Sequence, residues 1–99
     1  MNQYDVIVIG SDINGLVTSA MIAKSGKKVL VIDEREQIGG LTAIQKFSSG
    51  SMVNPVYDAI QWIDPRVIKD LELNNYDLEI DKPKTLRIAL DKDGKHIKF

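Results

Sequence analysis

YDVIVIGSDINGLVTSAMIAKSGKKVLVIDEREQIGG, residues 4–40, is the stretch whose reading decides the fold. Its opening, Tyr4 to Ile9, is β-branched and almost continuously apolar, the pattern of a strand buried on both faces of a parallel sheet. Gly10 ends that strand. From Ile13 to Ser25 the apolar residues Ile13, Leu16, Val17, Ala20 and Met21 recur at steps of three and four, which predicts a helix with one core face. Gly26 supplies a left-handed stop, and Lys24, Lys27 and Lys28 gather where the negative end of the helix dipole favours cations. Val29 to Ile32 then reads as a second buried strand. Two strands joined through a helix must run parallel, with a right-handed crossover.

The joint between first strand and helix, Gly10-Ser11-Asp12-Ile13-Asn14-Gly15, lies where a G-x-G-x-x-G fingerprint belongs, and Asp33 closes the second strand eighteen residues beyond Gly15. In that fingerprint the first glycine makes the tight turn, the second admits the pyrophosphate, the third lets the helix pack on the strand, and the later acid binds a ribose hydroxyl. Gly10, Gly15 and Asp33 fill the first, third and ribose roles, and Asp12 stands in place of the middle glycine. The expected fold class is therefore α/β, a Rossmann-like βαβ dinucleotide-binding unit followed by a C-terminal helix and a β-hairpin. Expected cofactor-binding residues are Gly10, Ser11, Asp12, Asn14, Gly15, Asp33, Gly39 and Gly40, with no metal site and no identifiable catalytic group. Each has a plainer reading: Gly10 and Gly15 as a tight joint in a fold that has lost its ligand, Asp33 as a solvated strand end, Gly39-Gly40 as loop.

These same residues, together with DPRVIKDLEL at 64–73, resemble the opening of phytoene dehydrogenase-like and carotenoid desaturase-like flavoproteins of the amine oxidase superfamily. The resemblance covers most of this chain but only the opening part of such an enzyme. It implies that the strand, helix and second strand hold the adenosine diphosphate half of FAD, that Gly10 and Gly15 are the outer turn glycines, that Asp33 meets the adenosine ribose, and that Gly39-Gly40 is a second glycine motif near the pyrophosphate. Asp12 departs from the family pattern. A carboxylate about 5 Å from a pyrophosphate charge costs about 3 kcal/mol at an effective dielectric of 20, which weakens binding more than a hundredfold. Two things soften this: Asp tolerates unusual backbone angles, and its side chain can turn to solvent or cap the helix through a backbone N–H.

Outside residues 1–40 the signals are weaker. Ser48 to Ser51 reads as a loop or a turn between short strands. Asp64 followed by Pro65 is an N-cap with proline in the first helical position, predicting a helix over 65–73 with Val67, Ile68 and Leu71 inward. Tyr76 to Ile80 is expected as a strand, and residues 85–99 as a hairpin turning at Lys92 to Lys95 through Asp93-Gly94. The charged run Asp33 to Glu36 is read as a solvated loop, Trp62 as packing and His96 as surface. One incomplete domain over 1–99 is expected, with residues 41–99 as an extension of the βαβ unit.

Composition narrows the function. The 99 residues carry a formal net charge of -1 and no cluster of Lys and Arg, so nucleic-acid binding is not suggested. Without Cys there is no disulfide, thiolate metal site or Cys nucleophile, and a single His makes a triad or a three-ligand zinc site improbable. No apolar run is long enough for a transmembrane segment, and a cytoplasmic location is expected. A chain of this length buries only about 60 to 65% of its unfolded surface. With two buried strands to cover and an apolar strand at its end, it is expected to form a homo-oligomer or join a partner subunit. Three functions follow. The first is an FAD-binding module of an oxidoreductase, completed by a partner or second copy. The second is a non-catalytic relic of the same fold that has lost its FAD and acts in binding or escort, in the manner of Rab GDP-dissociation inhibitors. The third is a stand-alone adenine-nucleotide sensor.

Overall fold

The computed structural model describes residues 3–56, 62–81 and 88–98. Strand β1 (Val6–Ile9), helix α1 (Ile13–Lys24) and strand β2 (Val29–Ile32) follow one another, and the strands pair in parallel with Val6 opposite Val29 and Ile9 opposite Ile32. The register is fixed at both ends. Below it, Asp5 N–H donates to Lys28 O at 2.8 Å while the Asp5 carboxylate accepts from Lys28 N–H at 2.8 Å; above it, Gly10 N–H donates to Ile32 O at 2.7 Å. Helix α1 ends as its sequence requires. Gly26, at φ +90°, turns the chain in the left-handed region and its N–H returns to Ala23 O.

The helix covers one face of the strand pair. Leu16, Val17, Ala20 and Met21 are half-buried, as are Val6, Val8, Val29 and Val31. The other face is bare: Ile7 is 58% and Ile9 87% exposed. The expectation of strands buried on both faces is therefore met on one face only, because one helix cannot wrap a two-stranded sheet. Among the described residues no apolar side chain is fully buried, and the only buried side chains are Ser11 and Ser19. The Cα radius of gyration is 18.2 Å, against roughly 13 Å for a compact domain of about this length.

Beyond β2 the elements are short. Antiparallel β3 (Gln45–Lys46) and β4 (Met52–Val53) flank the serine-rich turn, where Gly50 takes φ +86°. Helix α2 (Pro65–Asp70) begins as expected, with the Asp64 carboxylate accepting from Arg66 N–H at 2.9 Å, but it stops short of residue 73. Glu72 adopts left-handed angles (φ 53°, ψ 39°), which break the helical path. Tyr76 to Ile80 is not a strand. Leu73–Tyr76 form a 3₁₀ turn, Asp77 is again left-handed, and no neighbouring strand pairs with the stretch among the described residues. Strands β5 (Ile88–Ala89) and β6 (Ile97–Lys98) pair antiparallel within the span read as a hairpin; residues 85–87 and 99 of that span lie outside the described residues. Trp62, read as packing, is 71% exposed, since α2 turns Val67, Ile68 and Leu71 inward and leaves Trp62 ahead of its cap.

Helix α2 docks beside α1 through one polar link. The Lys24 ammonium donates to Asp70 O and faces the Glu72 carboxylate at 3.6 Å. Between them lies an open apolar groove of about 500 Å³, lined by Leu16, Val17, Ala20, Val31, Val67 and Leu71 among others. No described helix is long and apolar enough to cross a membrane.

Candidate functional site

The site is the turn that carries the chain from β1 into α1. Gly10, at φ +102°, makes the sharp exit from the strand. Five residues later the helix returns so close that a Cβ on Gly15 would stand 2.2 Å from the carbonyl oxygen of Gly10. No side chain fits there. The third fingerprint glycine is thus a steric requirement of the helix-to-strand approach, and it leaves the N-terminus of a twelve-residue helix opening at the end of the parallel strands. Backbone N–H groups and the helix dipole at such an end favour an anion.

Asp12 has extended angles (φ −70°, ψ 176°) that any residue adopts, so the backbone does not demand glycine here. Its carboxylate is the N-cap of α1 and accepts from Gly15 N–H at 2.8 Å. The side chain therefore takes one of the donors that an incoming phosphate would use. It also explains Gly40, since a Cβ at that position would stand 2.8 Å from Asp12 Cβ. Gly39, at φ +111°, donates its N–H to Ser11 O at 2.7 Å, and residues 12 and 39 form a parallel bridge, so the Gly-Gly pair is fastened to the turn.

Asp33 lies just past β2, across from Ser11. Its Oδ2 accepts from both the Ser11 hydroxyl, at 2.6 Å, and the Ser11 amide, at 2.7 Å; its Oδ1 accepts from Arg35 N–H at 2.9 Å and faces Arg35 Nε at 3.5 Å. The Ser11 hydroxyl first, then the Arg35 and Ser11 amides, hold the Asp33 carboxyl far below the usual carboxylate range. Asp33 is ionised at any physiological pH. The Arg35 guanidinium also reaches within 3.9 Å of where a Cβ on Gly40 would be, which places the cation that pairs with Asp33 beside the Gly39-Gly40 segment. Sequence reading took residues 33–36 as a solvated loop, which residues 34–36 are, but gave Arg35 no part in holding Asp33. The usable signal was a basic residue two positions after the strand-end acid.

Of the eight residues expected at the site, the structure brings Gly10, Ser11, Asp12, Gly15, Asp33, Gly39 and Gly40 together through these contacts. Asn14 lies on the exposed first turn of α1. No group of three or more acidic or His side chains suited to a metal occurs among the described residues.

Comparison with known proteins fits this geometry. A family model described as NAD(P)-binding Rossmann-like domain matches residues 8–66. A limonene dehydrogenase component of Castellaniella defragrans is 35% identical over 95 residues, covering 95% of this chain and 17% of its own length. UDP-galactopyranose mutase of Mycoplasma pneumoniae is 32% identical over 101 residues, covering 91% of this chain and 25% of its own. A stretch of 40 residues is 60% identical to the inactive all-trans-retinol 13,14-reductase of Danio rerio, covering 40% of this chain and 7% of that protein. The chain thus spans a quarter or less of these relatives.

Proposed function

Because the chain belongs to the NAD(P)-binding Rossmann-like domain family, we propose that it is the adenine-dinucleotide-binding segment of a flavin-dependent oxidoreductase of the phytoene dehydrogenase kind, with FAD as the cofactor. The observation that carries this reading is the Gly10–Gly15 crossing, where the 2.2 Å limit at Gly15 brings the helix N-terminus to the strand ends that a pyrophosphate would span. In this reading the phosphates lie across residues 10–15, the adenosine ribose lies against Asp33, Gly39-Gly40 flanks the pyrophosphate, and Arg35 offsets part of its charge. Bound flavin would supply the redox chemistry; the described residues supply position and electrostatics. The rest of the dinucleotide domain comes from further chain, a partner subunit or a second copy. The bare Ile7 and Ile9 face and the groove between α1 and α2 support that requirement.

A second reading has its own observation. Asp12 already caps Gly15, so a carboxylate occupies one of the donors an anion would use, as in a fold kept for binding or escort after its cofactor is lost. Calorimetry with FAD and ADP separates the two. On the relic reading the purified protein is colourless and binds neither ligand, while Asp12→Gly recovers weak affinity by removing about 3 kcal/mol of repulsion. Tight FAD binding and a flavin absorbance band in the parent support the cofactor reading. Asp12→Asn separates charge from cap, because Asn caps a helix about as well as Asp. Recovery in both variants identifies the charge as the obstacle, and recovery in Asp12→Gly alone identifies the side chain itself.

A further inference from the structure

The two oxygens of Asp33 are engaged differently. Oδ2 receives two hydrogen bonds from a single residue, the Ser11 amide and hydroxyl, and Ser11 is 2% exposed, so its hydroxyl has no solvent to turn to instead. Two short bonds on one oxygen fix both the rotamer and the plane of the carboxylate. Oδ1 holds one good bond, from Arg35 N–H. A carboxylate oxygen accepts about two. Its second position is faced by Arg35 Nε at 3.5 Å, on a side chain that is 55% exposed and free to swing into water.

We infer that Ser11 is a positioning residue: it commits Oδ2 of Asp33 to the phosphate turn, aims Oδ1 at the ribose of a bound nucleotide, and thereby sets the discrimination between a free 2′-hydroxyl and a 2′-phosphate. The inference rests on the dinucleotide reading above. A ribose hydroxyl donates to Oδ1 in place of Arg35 Nε. A 2′-phosphate at the same place meets an ionised oxygen that cannot rotate away, because Ser11 holds its partner. Without the Ser11 hydroxyl, Oδ2 keeps only the Ser11 amide, so the carboxylate is held less firmly, its charge is less favoured, and it opposes a 2′-phosphate less while the exposed Arg35 can still meet one.

The test uses NAD+ and NADP+, which share the ADP half of FAD and differ only by the 2′-phosphate, with calorimetry on the full chain and on Ser11→Ala and Ser11→Gly. The parent is expected to favour NAD+ by at least about tenfold, the scale of one charge contact, and both variants to lower that ratio by about fivefold or more. Carboxyl-carbon NMR should show the Asp33 titration midpoint rising in both variants towards the usual carboxylate range. Equal weakening of the two nucleotides marks a merely structural serine and overturns the inference, as does an unchanged ratio. If either variant fails to fold, the other decides. A parent that binds neither NAD+ nor NADP+ overturns this inference, as does one that binds NAD+ with a ratio indifferent to Ser11; the dinucleotide reading falls only if the parent binds neither FAD nor ADP as well.

Discussion

Residues 5–40 are joined by bonds that span the sequence, whereas among the described residues of 41–98 the bonds reach less far, the longest shown being from the Asn54 side-chain amide to Leu41 O and Ala43 O. In the first region Gly10 reaches Ile32, Ser11 reaches Asp33 and Gly39, and Asp5 reaches Lys28. In the second, Phe47 bonds Ser51, Asn75 bonds Glu72 and Gly94 bonds Asp91, while the two short ladders each pair only two residues from each strand. Closing a long loop costs more entropy than closing a short one. The distant contacts persist because several are made at once, around a turn whose steric limits admit one path. Cooperativity in this chain therefore belongs to the βαβ unit and its glycine turns. Of the later elements, α2 meets this unit through the Lys24 link and the open apolar groove between the helices.

The largest expected effect comes from Gly15→Ala. Its Cβ would fall 2.2 Å from a backbone oxygen that cannot move without pulling β1 from β2. Overpacking costs typically 1–3 kcal/mol even where side chains yield, so about 3 kcal/mol or more is expected here, read as a fall in the urea midpoint with loss of the parallel-strand amides from hydrogen exchange. A small shift would mean that the helix can slide outward, and would remove the contrast between the regions.

Next in size is the acid response. The folded Asp33 carboxyl titrates far below its unfolded value, so its contribution to stability is complete above the unfolded range near pH 4 and is lost as pH falls from there towards the folded value. Asp33→Asn should lower the denaturation midpoint at pH 7, and the gap from the parent should close on acidification below about pH 4. The amides that lose protection should be those of residues 10–12 and 39, not those of the β3–β4 or β5–β6 pairs. A gap that is constant with pH would show that the charge of Asp33 contributes nothing and that only its hydrogen bonds matter.

The same contrast explains what was legible beforehand. Local rules placed β1, α1 and β2 almost to the residue, because apolar period, Gly26 and the basic last turn all agree there. Seven of the eight expected site residues meet in the structure for the same reason: a tight turn brings sequence neighbours together, and the parallel register brings Asp33 alongside. What was not legible depended on contacts no local rule reports. The end of α2 was misread because Asp70 to Leu73 continue a plausible apolar period through a left-handed Glu72. Tyr76 to Ile80 carries β-favouring residues but finds no described strand to pair with, and strand propensity without a partner does not make a strand. Arg35 was missed because an exposed charged run gives no sign of which acid its cation pairs with until the turn after β2 is seen to bring it back to Asp33. The Asp12 cap was foreseen as one of two softening options, whereas its link to Gly40 joins positions far apart in the chain and leaves no local trace.

The smallest effect, and the control for the largest, is Gly50→Ala in the turn between β3 and β4. Gly15 is helical and limited by space, whereas Gly50 has a positive φ, +86°, and a Cβ there would meet nothing within 4 Å. Its cost is therefore conformational alone, about 1–2 kcal/mol for an L-residue in the left-handed region. That cost falls on a ladder of two residues per strand, which opens independently of the βαβ unit if the two regions differ as their bonding indicates. The expected outcome is faster amide exchange at Phe47 and Gly50, whose N–H groups close this turn, with the global unfolding free energy within about 0.5 kcal/mol of the parent, the range of ordinary surface changes. A global shift as large as that of Gly15→Ala would mean that the hairpin unfolds with the parallel strands, and that residues 5–40 and 41–98 form one cooperative unit after all.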